Sequence, residues 1–393
     1  MELAQPAPSA SLARRLEPLP GPELFERYQA PAVDLKTWLF TRSLLVGRMA
    51  LVVALMPFFK RRPEQPVDLD NNVKFLFEDF EHRFLDKHLS RLGPVRDEMS
   101  PVPRVRPEEV TPQDVQALIK HTPLVIEGLA DDGDRLEKWG LESLKQRFGD
   151  ARLWVTRPDV TEHRLTLAEL LDAMIAGDHS GQYARSAADL FHQKPELMEQ
   201  LPLETMRSYM GDLATFFGAE VFAGGHNTGS PFHCAPFYNF FTLVHGTKEW
   251  VLIHPSYSWW LYPNLHHTGY AFSRVRQDET PESIEKNFPL FRRIPKMRCR
   301  LQPGDVLINP PWWWHAISNL TPTTIGIATR WAEPARTENN PLFERVSLLS
   351  KGARDLHGGA RRAKDGNRLT DALWRDRFHL KLPSAGRPSG PRR

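Results

Sequence analysis

The chain has 393 residues, enough for one large domain with appendages or two medium ones. Hydrophobic residues make up 41% and charged residues 25%, an ordinary globular balance, and a net charge of +3 singles out neither a nucleic acid nor a membrane as partner. The two cysteines, Cys234 and Cys299, exclude a disulfide framework and any CxxC site, so a reducing cytoplasm is the expected compartment.

Residues 1–36 lack the apolar run of a secretory signal and read as a mobile, Pro/Ala/Ser-rich leader. A helical N-terminal region is expected over 37–99. Its first part, TWLFTRSLLVGRMALVVALMPFF (37–59), is the most apolar stretch of the chain, but Arg42, Arg48 and Pro57 interrupt it. The uninterrupted run Met49 to Phe59 falls short of the roughly 20 residues a bilayer needs. A helix docked on the protein's own body is the leading reading, with contact at a membrane surface as the alternative. Over 73–92, apolar residues recur at three and four spacing (Phe75, Phe77, Phe80, Phe84, Leu85, Leu89, Leu92), which predicts an amphipathic helix.

A Pro-punctuated linker opens the main domain near residue 100. TPLVIEGLA predicts a strand closed at Gly128, and DRLEKWGLESLKQRFGD a helix stopped at Gly149. ARLWVTRP predicts another strand, with helices over LTLAELLDAMIAG and around KPELMEQL. From 219 the grammar is β: AEVFAG, PFHCAPFYNFFTLV, KEWVLIHP, MRCRLQPGDVLINP and TTIGIATRW, with aromatic and β-branched runs between Gly/Pro/Asn turns. The expected fold class is α+β: a mainly β core over about 219–332, in a domain spanning 100–332, with flanking helices. The tail 333–393 begins with a candidate helix, PLFERVSLLSKGARDL. From Lys351 on it carries 12 Lys/Arg against 4 Asp/Glu, which reads as a solvated, partly disordered segment, with an electrostatic patch as the minority reading.

The chemistry concentrates in SPFHCAPFYNFFTLVHGTKEW. In a strand, His233 and Ala235 face one way and Cys234 the other, so Cys234 is assigned to the core. VHGTK reads as a hairpin turn around Gly246 that pairs 233–244 with 248–254 and returns Lys248 beside the strand of His233. Downstream, LQPGDVLINPPWWWHAISNL offers a turn, a strand, a Pro-Pro corner and His315. Two histidines from distant strands are the minimum for a metal site in a barrel mouth, and alone they are weak evidence.

Together, the GSPFH strand, NFF starting six residues after His233, GTK ending fifteen after it and PGDVLINPPWWWH resemble a cupin-like Jumonji C domain. This is the double-stranded β-helix of iron(II)- and 2-oxoglutarate-dependent oxygenases, and the chain is similar in particular to the branch with the asparaginyl hydroxylase of hypoxia-inducible factor. The resemblance implies that His233 and His315 bind iron(II) and that Lys248 pairs with the far carboxylate of 2-oxoglutarate. It places Asn239 and Ser230 as polar groups near that co-substrate, and Arg330 where the branch carries a polar residue on the last strand. No catalytic residue beyond the metal centre is implied.

Ala235 departs from the pattern. The family has Asp or Glu there, completing a triad of two histidines and one carboxylate, and a methyl group binds no metal. An open position on iron admits a halide or water, and loss of a negative ligand favours an anion. Three readings follow: a halogenase with chloride at the metal, as His-x-Ala enzymes of another branch imply; a hydroxylase with a two-histidine dyad and water; and a non-catalytic binding module. Lys248 weighs against the last, because a buried cation needs an anion. Rescue by His226, His245, His254, His266 or His267 is a minor alternative, with His245 and His254 expected at the surface. The substrate stays open between a small molecule, a peptide and a lipid-linked compound. The Trp-rich SYSWWLYPNLHH and PPWWW read first as packing and second as an aromatic-binding mouth. Homodimerisation through the helical ends is an expectation by analogy, and no nucleic-acid groove is evident.

Overall fold

The structure is a computed structural model that describes residues 94–332, apart from 132, 158–160, 178–180, 212, 266–269 and 277–278, together with Leu39, Ser43, Val46, Gly47 and Ala50. The leader, the 73–92 helix and the tail from 333 lie outside the described residues. The five described residues of the 37–59 segment are helical, and Val46 packs against the main core, as expected of a helix docked on the body. No helix among the described residues is long and apolar enough to cross a membrane.

In chain order the strands are β1 (Met99–Pro101), β2 (Arg104–Val105), β3 (Leu124–Ile126), β4 (Arg152–Thr156), β5 (Glu162–Thr166), β6 (Tyr183–Ala187), β7 (Thr215–Gly224) and β8 (Gly229–Cys234). They continue as β9 (Tyr238–His245), β10 (Lys248–Ile253), β11 (Pro263–Leu265), β12 (Ala271–Ser273), β13 (Lys296–Leu301), β14 (Val306–Asn309), β15 (Trp314–Asn319) and β16 (Thr324–Ala332). Two sheets form. The first runs β1-β13-β10-β15-β8-β12-β11, and the second β2-β3-β14-β9-β16-β7-β6-β4-β5. Their inner faces meet: Trp250 of the first packs edge-on against Phe241 of the second, with ring centroids 4.9 Å apart. This is the double-stranded β-helix of a cupin or jelly roll, and it occurs where the β grammar predicts it.

Helices cover the outer face of the second sheet. Leu167–Ile175 is capped at Thr166, whose hydroxyl accepts from the Glu169 amide while the Glu169 carboxylate accepts from the Thr166 amide. It buries Leu167, Leu170, Leu171 and Met174 against the strand side chains Val221, Ala223, Ile325 and Ile327. Alternation along β16 thus sends Ile325 and Ile327 outward to the helices and Ala328 and Arg330 inward.

Two local readings are corrected. The predicted helix over 134–150 is two helices, Arg135–Lys138 and Leu141–Phe148, because the chain turns at Gly140 and restarts. The segment around KPELMEQL is a 3-10 helix, Pro195–Gln200. The hairpin at VHGTK is also corrected. β9 pairs with β14 and β16, whereas β10 pairs with β13 and β15 in the other sheet. Gly246, at φ +77°, lets the chain cross between sheets, and a Cβ there would sit 2.2 Å from the Thr323 carbonyl oxygen. Lys248 is therefore separated from the His233 strand by β15.

Candidate metal centre

Strands β8 and β15 are neighbours in register, with His233 directly opposite His315. Their ring centroids are 4.2 Å apart. His233 Nδ1 lies 2.8 Å from the Pro231 carbonyl and His315 Nδ1 3.0 Å from the Trp313 carbonyl. A carbonyl only accepts, so each Nδ1 carries the proton and each Nε2 keeps its lone pair. Asn309 also faces His315 Nδ1, at 3.2 Å, and its Oδ1 is buried without a partner. Turning the amide so that its oxygen faces the ring satisfies both groups. Phe272 stacks on His233 and Trp250 on His315, which fixes both ring planes. Burial holds the His233 imidazolium down to about 4, and burial together with the neighbouring His233 holds His315 well below its ordinary value. Both rings are neutral at physiological pH, as metal ligands must be.

Ala235 follows at the end of β8, buried against Phe237 and Tyr270, and its carbonyl accepts from the Trp312 amide. Among the described residues no third His, Cys, Asp or Glu joins the two histidines in a metal-binding group. The residues present fit a two-histidine metal centre and not a full facial triad. Of the alternative histidines, His226 is exposed, and His266 and His267 lie outside the described residues. His245 and His254 are not surface residues as expected. His245 is partly buried and bonds the Thr323 hydroxyl, while His254 packs edge-on against Trp313, and burial lowers its pKa to about 4.

Deeper in the barrel Lys248 is fully buried, its Nζ 3.5 Å from the Tyr183 hydroxyl and 5.3 Å from the Phe241 ring centroid. No carboxylate pairs with it among the described residues, and burial drives its pKa down from 10.5 to about 7. Ser230 is buried and hydrogen-bonds Tyr183, so Lys248, Tyr183 and Ser230 converge. That trio brings one amine and two hydroxyls together in the barrel interior.

Across β9, β16 and β14, Asn239 is directly opposite both Arg330 and Asn309. Arg330 Nε and Nη2 donate to one oxygen of Glu220, at 3.1 and 2.8 Å, with both side chains buried. The other oxygen, Oε1, has no hydrogen-bond partner, and neither has Asn239 Oδ1. His233, His315, Ala235, Lys248, Asn239, Ser230 and Arg330 are therefore gathered on one barrel interior. Sequence reasoning missed Tyr183 and Glu220. Glu220 left a trace, being a lone carboxylate in the apolar strand AEVFAG, where a buried charge demands a partner. Tyr183 left none.

The profile of the family described as "Cupin-like domain" matches residues 112–336, more than half the chain. The chain belongs to the cupin-like domain family. This cupin-like chain is 26% identical over 239 residues to the lysine-specific demethylase 8 of Xenopus tropicalis, covering 58% of this chain and 52% of that protein. It is 29% identical over 136 residues to the Jumonji C domain-containing protein 5 of Drosophila melanogaster, covering 34% and 33% of the two chains. With the human HSPB1-associated protein 1 it shares 34% over 92 residues, 23% and 18% of the two chains. The cupin-like chain thus spans about half the length of the frog relative, and less of the other two. These likenesses agree with the Jumonji C resemblance of its motifs.

Proposed function

We propose that the chain is an iron(II)- and 2-oxoglutarate-dependent enzyme that functionalises a C–H bond at a two-histidine centre, with a halide in the metal position that Ala235 leaves open. The observation that carries this reading is the pairing of two neutral, oriented histidines with a buried alanine on the same side of the barrel. Bound iron(II) and 2-oxoglutarate would supply oxidation of the substrate by dioxygen. With chloride, R–H, chloride, a proton, 2-oxoglutarate and dioxygen become R–Cl, succinate, carbon dioxide and water.

The chain's own residues set the rest. His233 and His315 hold the metal, and Lys248, Tyr183 and Ser230 receive the far carboxylate. Ala235 packs with Phe237, Tyr270 and Phe272, a small apolar cluster in which the charge of the metal alone would hold an anion.

A hydroxylase that uses the same dyad with water is the second reading, favoured by the names of the demethylase relatives. Removal of a methyl group from a protein lysine fits this barrel poorly. A methylated lysine is cationic, and the buried carboxylate Glu220 is already committed to Arg330. The test is succinate formation from 2-oxoglutarate by the purified protein, with and without chloride. Halide-dependent turnover, lost in Ala235→Asp, supports halogenation. Turnover indifferent to halide leaves the hydroxylase, and none under any condition sinks both.

A further inference from the structure

Of Lys248, Arg330 and Arg185, the first two are buried and the third is exposed. A bulge sets its position. β6 and β7 pair Ala184 with Ala223 and Ala187 with Val221, so Arg185 and Ser186 stand opposite Phe222 alone. Such a bulge re-aims a strand side chain. From it Arg185 crosses to the other sheet, where Nη2 donates to the Gly229 carbonyl of β8 at 3.1 Å. Its guanidinium carbon lies 5.5 Å from the centroid of the buried Tyr183 ring.

The carbonyl and the ring hold this guanidinium in one place, yet no carboxylate neutralises it among the described residues. Its N–H groups other than the one on Gly229 are left for a ligand, and the planar fork matches a carboxylate or a phosphate. The charge also reaches the metal site. Burial first, and then the charges of Arg330 and Arg185, hold the His233 imidazolium down. Gly229 and His233 lie on the same strand, β8, about 13 Å apart at the rise of a strand.

We infer that Arg185 binds an anionic group of the primary substrate, a carboxylate or a phosphate, whose reacting carbon lies about 13 Å or less away, at the metal. The inference rests on the reading that His233 and His315 hold a reactive metal, and it adds the charge of the substrate. Lys248 is buried deep in the barrel and Arg330 is committed to Glu220, so the exposed cation is the one left for a molecule arriving from solvent. Its unneutralised charge also draws an anion in faster. A neutral or cationic substrate would leave this guanidinium unused.

Ligand-observed NMR tests this on the full chain loaded with manganese(II) and saturating 2-oxoglutarate under nitrogen. The probes are benzoate, phenyl phosphate and neutral benzamide. Manganese broadens the proton lines of a probe that binds near it, and the zinc(II)-loaded protein gives the diamagnetic baseline. Benzoate or phenyl phosphate should be broadened by the wild type, about fivefold or more less by Arg185→Gln, and nearly as in the wild type by Arg185→Lys. Benzamide should be broadened by none of them. Glutamine still offers the Gly229 carbonyl an N–H, so the loss reads charge, with circular dichroism as a check on folding. The anion broadened more tells a carboxylate substrate from a phosphate one. Equal broadening by wild type and Arg185→Gln, benzamide broadened like the anions, or neither anion broadened would overturn the inference. Manganese affinity, measured first by water-proton relaxation, would in those cases leave the metal reading standing. A protein that binds no manganese would overturn both.

Discussion

Replacing Lys248 with methionine should stabilise the ligand-free protein. The ammonium is fully buried with no carboxylate partner among the described residues, and its pKa falls from 10.5 to about 7 for that reason. Between those values the unfolded chain binds the proton and the folded chain does not, so this group makes stability rise with pH across that window and costs most below it. A shift of this size corresponds to roughly 4–5 kcal/mol at full protonation, and relaxation around the amine would leave about 2–4 kcal/mol. Methionine keeps the length of the side chain among Tyr183 and Phe241 and loses one long contact to the Tyr183 hydroxyl, 3.5 Å in the wild type. At pH 6.5 the variant should melt about 5–15 °C higher, given about 2–4 °C per kcal/mol for a domain of this size. The gap should close towards pH 10.5. Thermal denaturation of both proteins in parallel across pH cancels the titration of other groups. A variant less stable than wild type at pH 6.5, or a gap independent of pH, would show that the buried ammonium carries no such cost.

Further expectations concern the supports of the site. Glu220→Gln removes the partner of a buried guanidinium and should cost on the order of 3–5 kcal/mol, read by urea unfolding, and E220Q/R330Q should recover part of it. Gly229→Ala places a Cβ 1.9 Å from the Ile317 carbonyl oxygen, so β8 must part from β15 and carry His233 away from His315. Cobalt(II) affinity should fall at least tenfold while far-UV dichroism is retained, and unchanged affinity would count against the two-strand site. With His233 titrating near 4 and His315 well below its ordinary value, protons should not compete with the metal until pH approaches 4. Metal affinity by calorimetry, without 2-oxoglutarate, should thus match at pH 5.5 and 7.5, and a tenfold drop at the lower pH would show rings that protonate in the fold.

Much of the barrel was legible because its strands carry their own pattern. TTIGIATRW covers all of β16 but its last residue and alternates its two faces there, and the PGD turn ahead of β14 is local chemistry. The histidines and the alanine were legible because alternation alone puts His233 and Ala235 on one side and Cys234, fully buried, on the other. The error at VHGTK has a physical cause. A glycine with positive φ serves a tight hairpin and a crossing between sheets equally well, and partner choice is made by β13, β14, β15 and β16, some fifty or more residues downstream. The split at Gly140 was hidden because the segments on both sides favour helix. The buried Trp259, Trp312, Trp313 and Trp314 follow the packing reading, with Trp314 Nε1 donating to Ser258 at 2.9 Å. Tyr183 reaches Lys248 from 65 residues upstream, a contact set by the closure of the two sheets and by nothing near it in the chain.

The proposed centre is a two-histidine metal site that takes 2-oxoglutarate and leaves a position for an anion beside Ala235. The visible charge-transfer band of the protein with iron(II) and 2-oxoglutarate under nitrogen, followed through a chloride titration, tests it. The band should be absent in His315→Ala and should shift saturably with chloride in the wild type but not in Ala235→Asp. A band that chloride never moves would contradict the anion position, and no band at all would contradict the metal site itself.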